Sequence, residues 1–215
     1  MAFRHAAGGS FIPWMHPWMH PFAPICTHGA HGIKSFIHAC ESMERIGHRV
    51  SYIDPSSDGV VTQQAFERVI AGRPKLVSIM FANNEIGTIQ PIKELCEIAH
   101  YHGALFHTDA VQAVGHVPIN VKEPGVDMMS ASAHKFNGVR GVGFLYIKKG
   151  TPIVPYADGG SQEGGFRAGT ENTAGIVCND RSACIYVYSH TCQSIDERYS
   201  VRTFAFRRLC NRSDV

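Results

Sequence analysis

The feature that most restricts what this chain can fold into is a regular change of hydrophobic period between residues 34 and 108. Stretches with a helical apolar repeat, near Lys34–Ile46, Thr62–Ile70 and Ile92–His102, each give way to a short β-rich run, at His48–Ile53, Leu76–Phe81 and Ala104–Thr108. The connections are short and carry turn residues: Asp54-Pro55, Gly72-Arg73-Pro74 and Gly103. Strand after helix after strand at this spacing predicts an α/β fold, a mostly parallel sheet wound on both sides with right-handed crossovers. Two further runs, Met128–Ser132 and Val142–Lys148, read as strands joined by the glycine-rich segment SAHKFNGVRGVG.

Both ends differ from this middle. All lysines fall between Lys34 and Lys149, and no acidic residue precedes Glu41. The start carries PWMHPWMHP from Pro13 to Pro21, and proline at that density prevents a continuous helix or central strand. After Val177 neither a helical nor a strand period is sustained. The expected organisation is therefore a poorly ordered segment 1–32, one α/β unit over 33–177, and an atypical tail 178–215. A chain of 215 residues, 44% of them apolar, buries one sizeable core and leaves little for a second complete domain.

Composition excludes several classes. A formal charge of +2 is too mild for a nucleic-acid or membrane-surface partner, which needs a concentrated basic patch. The seven cysteines are odd in number and form no C-x-x-C pair, which points to neither a disulfide framework nor a zinc site. His16, His20, His28 and His31 are spaced too irregularly, on a proline-rich segment, to fix a metal geometry, so no metal is expected. No apolar run approaches the roughly 18 residues that span a bilayer, and the start lacks the layout of a secretion signal. A cytoplasmic protein in a reducing compartment is the expectation.

In a parallel sheet, ligands sit beyond the carboxyl ends of the strands, so the loops opening after Phe81, Thr108 and Ser132 should converge. They hold Asn83-Asn84, then Asp109 with Gln112, then His134-Lys135. Each has an ordinary structural use: an Asp caps a helix, paired asparagines build a turn, a lysine solvates a surface. Together a lysine, an acid and amide side chains on adjacent strand ends match the needs of pyridoxal 5'-phosphate (PLP). The lysine forms a Schiff base with its aldehyde, the acid keeps the pyridine nitrogen protonated, and an amide hydrogen-bonds the phenolic oxygen.

The segments NNEIGTIQPI, HTDAVQAVGHVPI, DMMSASAHKFNG and RAGTEN, in that order over roughly Ile33 to Val177, resemble the cysteine desulfurases of the class V aminotransferase-like PLP enzymes. The resemblance implies an incomplete large domain of the PLP-transferase, aspartate aminotransferase-like fold. It implies Lys135 as the Schiff-base lysine and acid-base group, Asp109 as partner of the pyridine nitrogen, and Asn84 and Gln112 at the phenolic oxygen. Ser132 and His134 match phosphate-binding positions, and Thr170 matches a threonine that reaches the phosphate of the neighbouring subunit, which implies a homodimer. It further implies L-cysteine as substrate, alanine as product, an enzyme persulfide, and a sulfur-acceptor scaffold protein in iron-sulfur cluster assembly.

The chain also departs from the family pattern. The Gly-Ser/Thr-Glu phosphate segment is expected upstream of anything present, and Ile33 stands where the family has a ring-stacking histidine, with His31 two residues away. Gly164 replaces an arginine of the family's Gln-Glu-Arg-Gly. The C-terminal domain, with its sulfur-accepting cysteine and carboxylate-binding arginine, is expected to be missing. None of Cys178, Cys184, Cys192 or Cys210 sits in a recognisable version of that cysteine's loop, and Cys40 and Cys96 fall on helical faces as packing residues. An impaired or inactive fragment is therefore expected. The alternatives are a selenocysteine lyase, a catalytically dead truncated fragment, or a class V aminotransferase acting on another amino acid.

Overall fold

The computed structural model describes residues 2–4, 24–27, 34–155 and 157–180. Its strands are β1 (Ala2–Arg4), β2 (Pro24–Thr27), β3 (Ser51–Tyr52), β4 (Leu76–Met80), β5 (Leu105–Asp109), β6 (Met128–Ser132) and β7 (Val142–Ile147). Its helices are α1 (Lys34–Arg45), α2 (Gln63–Ile70) and α3 (Ile92–Tyr101), and a further helix runs over 173–180. The strands form one sheet in the order β1-β7-β6-β5-β4-β2-β3. The pairs β2–β3, β2–β4, β4–β5 and β5–β6 are parallel, while β7 runs antiparallel to β6 and β1 antiparallel to β7.

The central strands are central because both of their faces are apolar enough to be covered. Every residue of β4, LVSIM, and of β6, MMSAS, is buried, the near-continuous run of a parallel strand covered on both sides. Helix α2 starts at Thr62, whose hydroxyl accepts the Ala65 N–H, and buries Phe66 and Ile70 one turn apart. Helix α3 buries Ile92, Leu95, Cys96 and Ala99, an i, i+3, i+4, i+7 stripe. Both stripes meet Val77, Ile79, Phe106, Met129 and Tyr146 on one face of the sheet. Each large side chain buried there contributes about 1.5–3 kcal/mol, which is why this face fixes the strand order.

Two sequence expectations change. The run His48–Ile53 pairs only through Ser51–Tyr52, because it is the edge strand and its single neighbour, β2, offers two partners in register. The segment 1–32 contributes two strands: Pro24 begins β2, where a missing N–H is tolerated, and Ile25-Cys26 pairs on both sides. The rest of that segment, with the PWMHPWMHP repeat and the four early histidines, lies outside the described residues, as does 181–215.

Candidate active site

The last rungs of the parallel ladder set where the three polar loops begin. Met80 pairs with Asp109 and Asp109 with Ser130. Beyond them the Phe81 N–H donates to Asp109 O at 2.7 Å and the Ala110 N–H to Ser130 O at 2.9 Å. The loops after β4, β5 and β6 therefore leave from one edge of the sheet, spaced by the roughly 4.8 Å between neighbouring strands. The loops that bear Asn83-Asn84, Asp109 to Gln112, and Ser132 to Lys135 thereby open side by side at the carboxyl edge of the parallel strands.

The first loop separates its two asparagines by role. Asn83 is buried, and its Oδ1 accepts the N–H groups of Glu85 at 2.8 Å and Ile86 at 3.1 Å, a side-chain turn that folds the loop back. Buried Gln90 closes the base of the loop, accepting the Val61 N–H at 2.8 Å and donating to Gly59 O at 2.7 Å. With Asn83 spent on architecture, Asn84 is the asparagine whose side chain is exposed.

The second loop starts with Asp109, half-buried, whose Oδ1 accepts the Val111 N–H at 2.9 Å, fixing the carboxylate's direction at the strand end. The chain then winds through tight turns anchored by buried Ala110 and Ala113, leaving Gln112 half-buried. Two residues before Asp109, and on its face by strand parity, buried His107 meets Ser78 of β4 with Nδ1 and Oγ 2.6 Å apart. Burial pushes the His107 imidazole down to about pKa 4. The ring is therefore neutral at physiological pH and places no cation of its own beneath the carboxylate.

The third loop is the most tightly constrained. Lys135 ends a 3-10 turn, Ala133–Lys135, between Ala133 and Phe136, both fully buried. Ala133 O accepts the N–H of Phe136 at 3.0 Å and of Gly138 at 2.8 Å. A Cβ on Gly138 would lie 2.7 Å from the Ala133 Cβ, so only glycine allows the chain to close this tightly. Ser132 Oγ and His134 Nδ1 stand 2.8 Å apart, the hydroxyl buried and the ring exposed. From the loop after β5, His116 Nε2 donates to Lys135 O at 2.9 Å.

Thr170 is exposed, two residues before Asn172, whose Oδ1 accepts the Gly175 N–H at 3.1 Å and so begins the helix over 173–180. A Cβ on Gly175 would lie 2.6 Å from Val142 Cγ2, so this helix starts against the first residue of β7, beside the Ser132 end of β6. Thr170 thus lies five residues before a helix residue that packs against the start of β7. Where the arginine of the family pattern is replaced, Glu163 and Gly164 have φ of 51° and 67°. Ile33 and His31 lie outside the described residues.

Sequence reasoning assigned no role to Ser78, His107 or His116. A polar residue inside an otherwise apolar strand, at the parity of Asp109, was the available signal for the first two.

The donor set fits PLP: a carboxylate at one strand end, an amine three residues past the next, and hydroxyl, imidazole and amide groups between them. The family model for aminotransferase class V matches residues 25–202. The chain is 50% identical over 159 residues to cysteine desulfurase IscS of Dictyoglomus turgidum, covering 71% of this chain and 40% of that protein. A solved NifS-like protein superposes with a TM-score of 0.73 at 41% identity, over 77% of this chain and 46% of that one. A structure of SspA in complex with cysteine gives a TM-score of 0.69 at 33% identity, over 87% and 52% respectively. The chain thus spans about two fifths of the length of the curated relative it matches.

Proposed function

The chain belongs to the aminotransferase class V family, similar within it to cysteine desulfurases, and on that premise we propose that it holds PLP through Lys135 for sulfur transfer from L-cysteine. The observation that carries this reading is the register of β4, β5 and β6, which delivers Asn84, Asp109, Gln112 and Lys135 to one sheet edge. PLP, when bound, supplies an aldehyde that condenses with amines and a ring that accepts electron density.

The chain's residues do the rest. Asp109, aimed by the Val111 N–H, would hold a proton at the pyridine nitrogen, and the neutral His107 on the same strand face would not compete for its charge. The amides of Asn84 and Gln112 would donate to the phenolic oxygen, and Ser132 with His134, whose Oγ and Nδ1 stand 2.8 Å apart, would hold the phosphate. Lys135 Nζ would be the group that takes and returns the proton at the substrate carbon. Thr170, which is exposed, would reach the phosphate of a second copy in a homodimer.

In the complete reaction the C–S bond of cysteine breaks, the sulfur joins an enzyme thiol as a persulfide, and alanine leaves. Neither Cys40 nor Cys96 serves as that thiol. Both are buried, and desolvation, with the nearby Asp127 charge, pushes the Cys96 thiol up to about pKa 12. We expect the 215-residue chain on its own to take up PLP and release little sulfide; in the complete reaction the persulfide sulfur would pass to a separate acceptor protein. The test is a PLP titration of the wild-type chain and of Lys135→Ala, followed by absorbance. Yellow Schiff-base absorbance in the wild type alone supports the assignment; colour in both, or in neither, refutes it.

A further inference from the structure

The segment after β5 is rigidly built from Asp109 to Val117. Ala110 O accepts the Ala113 and Val114 N–H groups, each at 2.9 Å, and Ala113 O accepts those of His116 at 2.9 Å and Val117 at 3.0 Å. His116 is thus carried at a fixed distance from the carboxylate that opens the segment. Its Nε2 reaches across to the main-chain carbonyl of Lys135 at 2.9 Å. A carbonyl oxygen only accepts, so Nε2 carries the hydrogen, and this holds whether the ring is neutral or charged.

The lysine turn is tied at its start by the Ser132 Oγ–His134 Nδ1 contact. Phe136, buried against Ala131, Ala133 and Val142, roots it in the core, and the main-chain N–H groups of Phe136 and Gly138 both donate to Ala133 O. Lys135 O lies past those bonds, where the 3-10 turn ends, and it accepts from a side chain of the segment that bears Asp109 and Gln112.

We propose that His116 is a positioning residue, which locks the Lys135 turn to the Asp109 segment and so presets the amine against the carboxylate before cofactor arrives. This rests on the reading of Lys135 and Asp109 as the two ends of a PLP site. Catalytic constellations work within about half an ångström, and a hydrogen bond from the Asp109 segment to the Lys135 carbonyl helps hold the lysine turn to that tolerance.

The variants are His116→Ala, His116→Phe and His116→Gln in the whole 215-residue chain; the Gln amide restores a donor to the same carbonyl, and Ala and Phe do not. The first readout needs no cofactor: hydrogen exchange at the Phe136 and Gly138 amides. It is expected to quicken about fivefold in Ala and Phe, the worth of one hydrogen bond, and to return toward wild type in Gln, with the α3 amides unchanged. The second is PLP affinity by titration, expected to weaken about fivefold in Ala and Phe and to recover in Gln. Unchanged exchange in Ala and Phe, or Gln behaving as Ala does, overturns the proposal. Quickened exchange with unchanged PLP affinity overturns it too, because the tie would then be structural only. A wild-type chain that takes up no PLP refutes the assigned function instead, and the exchange data still decide whether the tie exists.

Discussion

Replacing Asp127 should destabilise the chain by several times the cost of removing an ordinary surface charge. Asp127 immediately precedes β6, at the sheet edge opposite the candidate site, with a side chain 9% exposed. Its Oδ2 accepts the Phe106 N–H at 2.8 Å and His100 Nε2 at 2.7 Å, and its Oδ1 lies 3.7 Å from Lys148 Nζ. Its own N–H donates to Phe106 O at 3.0 Å and its carbonyl accepts the Lys148 N–H at 2.8 Å. One side chain thus joins β5, β6, α3 and the end of β7. In Asp127→Ala the Phe106 N–H, in a residue with no exposed surface, loses its acceptor, at about 1–3 kcal/mol. The charge-assisted bond from half-exposed His100 adds about 1 kcal/mol after discounting for solvent, and the exposed Lys148 contact adds little. The expected loss is about 3 kcal/mol. With a urea m-value of about 2 kcal/mol/M, the midpoint should fall by roughly 1.5 M. Asp127→Asn, which keeps an acceptor for Phe106, should lose about half as much. A midpoint shift below roughly 0.3 M for the alanine variant would refute the reasoning, as would Asn behaving like Ala.

Three further outcomes follow from particular side chains. The folded His107 pKa near 4 lies below its ordinary 6.5, so the unfolded chain binds the extra proton between those values. Stability is full above about pH 6.5 and falls on acidification toward pH 4, by up to about 1.4 kcal/mol per unit; His107→Gln should flatten that slope in unfolding measured at pH 7 and pH 5. Iodoacetamide at neutral pH should label exposed Cys178 and spare Cys96 until denaturant is added, read by peptide mass; equal labelling in the native state contradicts the high Cys96 pKa. Gly138→Ala should cost about 1–3 kcal/mol and weaken PLP uptake, because its methyl meets Ala133 Cβ and O at 2.7 and 2.9 Å; a wild-type melting temperature would show that the turn relaxes freely.

The helix and strand periods of the middle region were legible because its tertiary environment agrees with local preference. The run Met128–Ser132 is reproduced residue for residue, and α3 differs from the expected Ile92–His102 by one residue. What was not legible depends on partners distant in sequence. Ser51–Tyr52 is short because β2 supplies only two partners, and β2 itself follows a proline-rich stretch whose composition masks a four-residue strand. His107 reads as one more histidine until Ser78, 29 residues away, is placed beside it.

The same limit applies inside the motifs that carry the family resemblance. Each mixes residues that build the loop with residues poised for chemistry, and the sequence marks both alike. In NNEIGTIQPI, Asn83 and Gln90 spend their amides on backbone groups of the chain, whereas Asn84 stands exposed. In DMMSASAHKFNG, Asp127 satisfies a backbone N–H, a histidine and a lysine at the far edge, and Gly138 permits the closure that carries Lys135. The two aspartates at 109 and 127 flank neighbouring strands, yet parallel pairing puts them on opposite edges: one closes β5 where ligands gather, the other opens β6 where the sheet is tied to α3. Strand direction, which no single motif encodes, is what sorts the acid that holds the fold from the acid that can hold a cofactor.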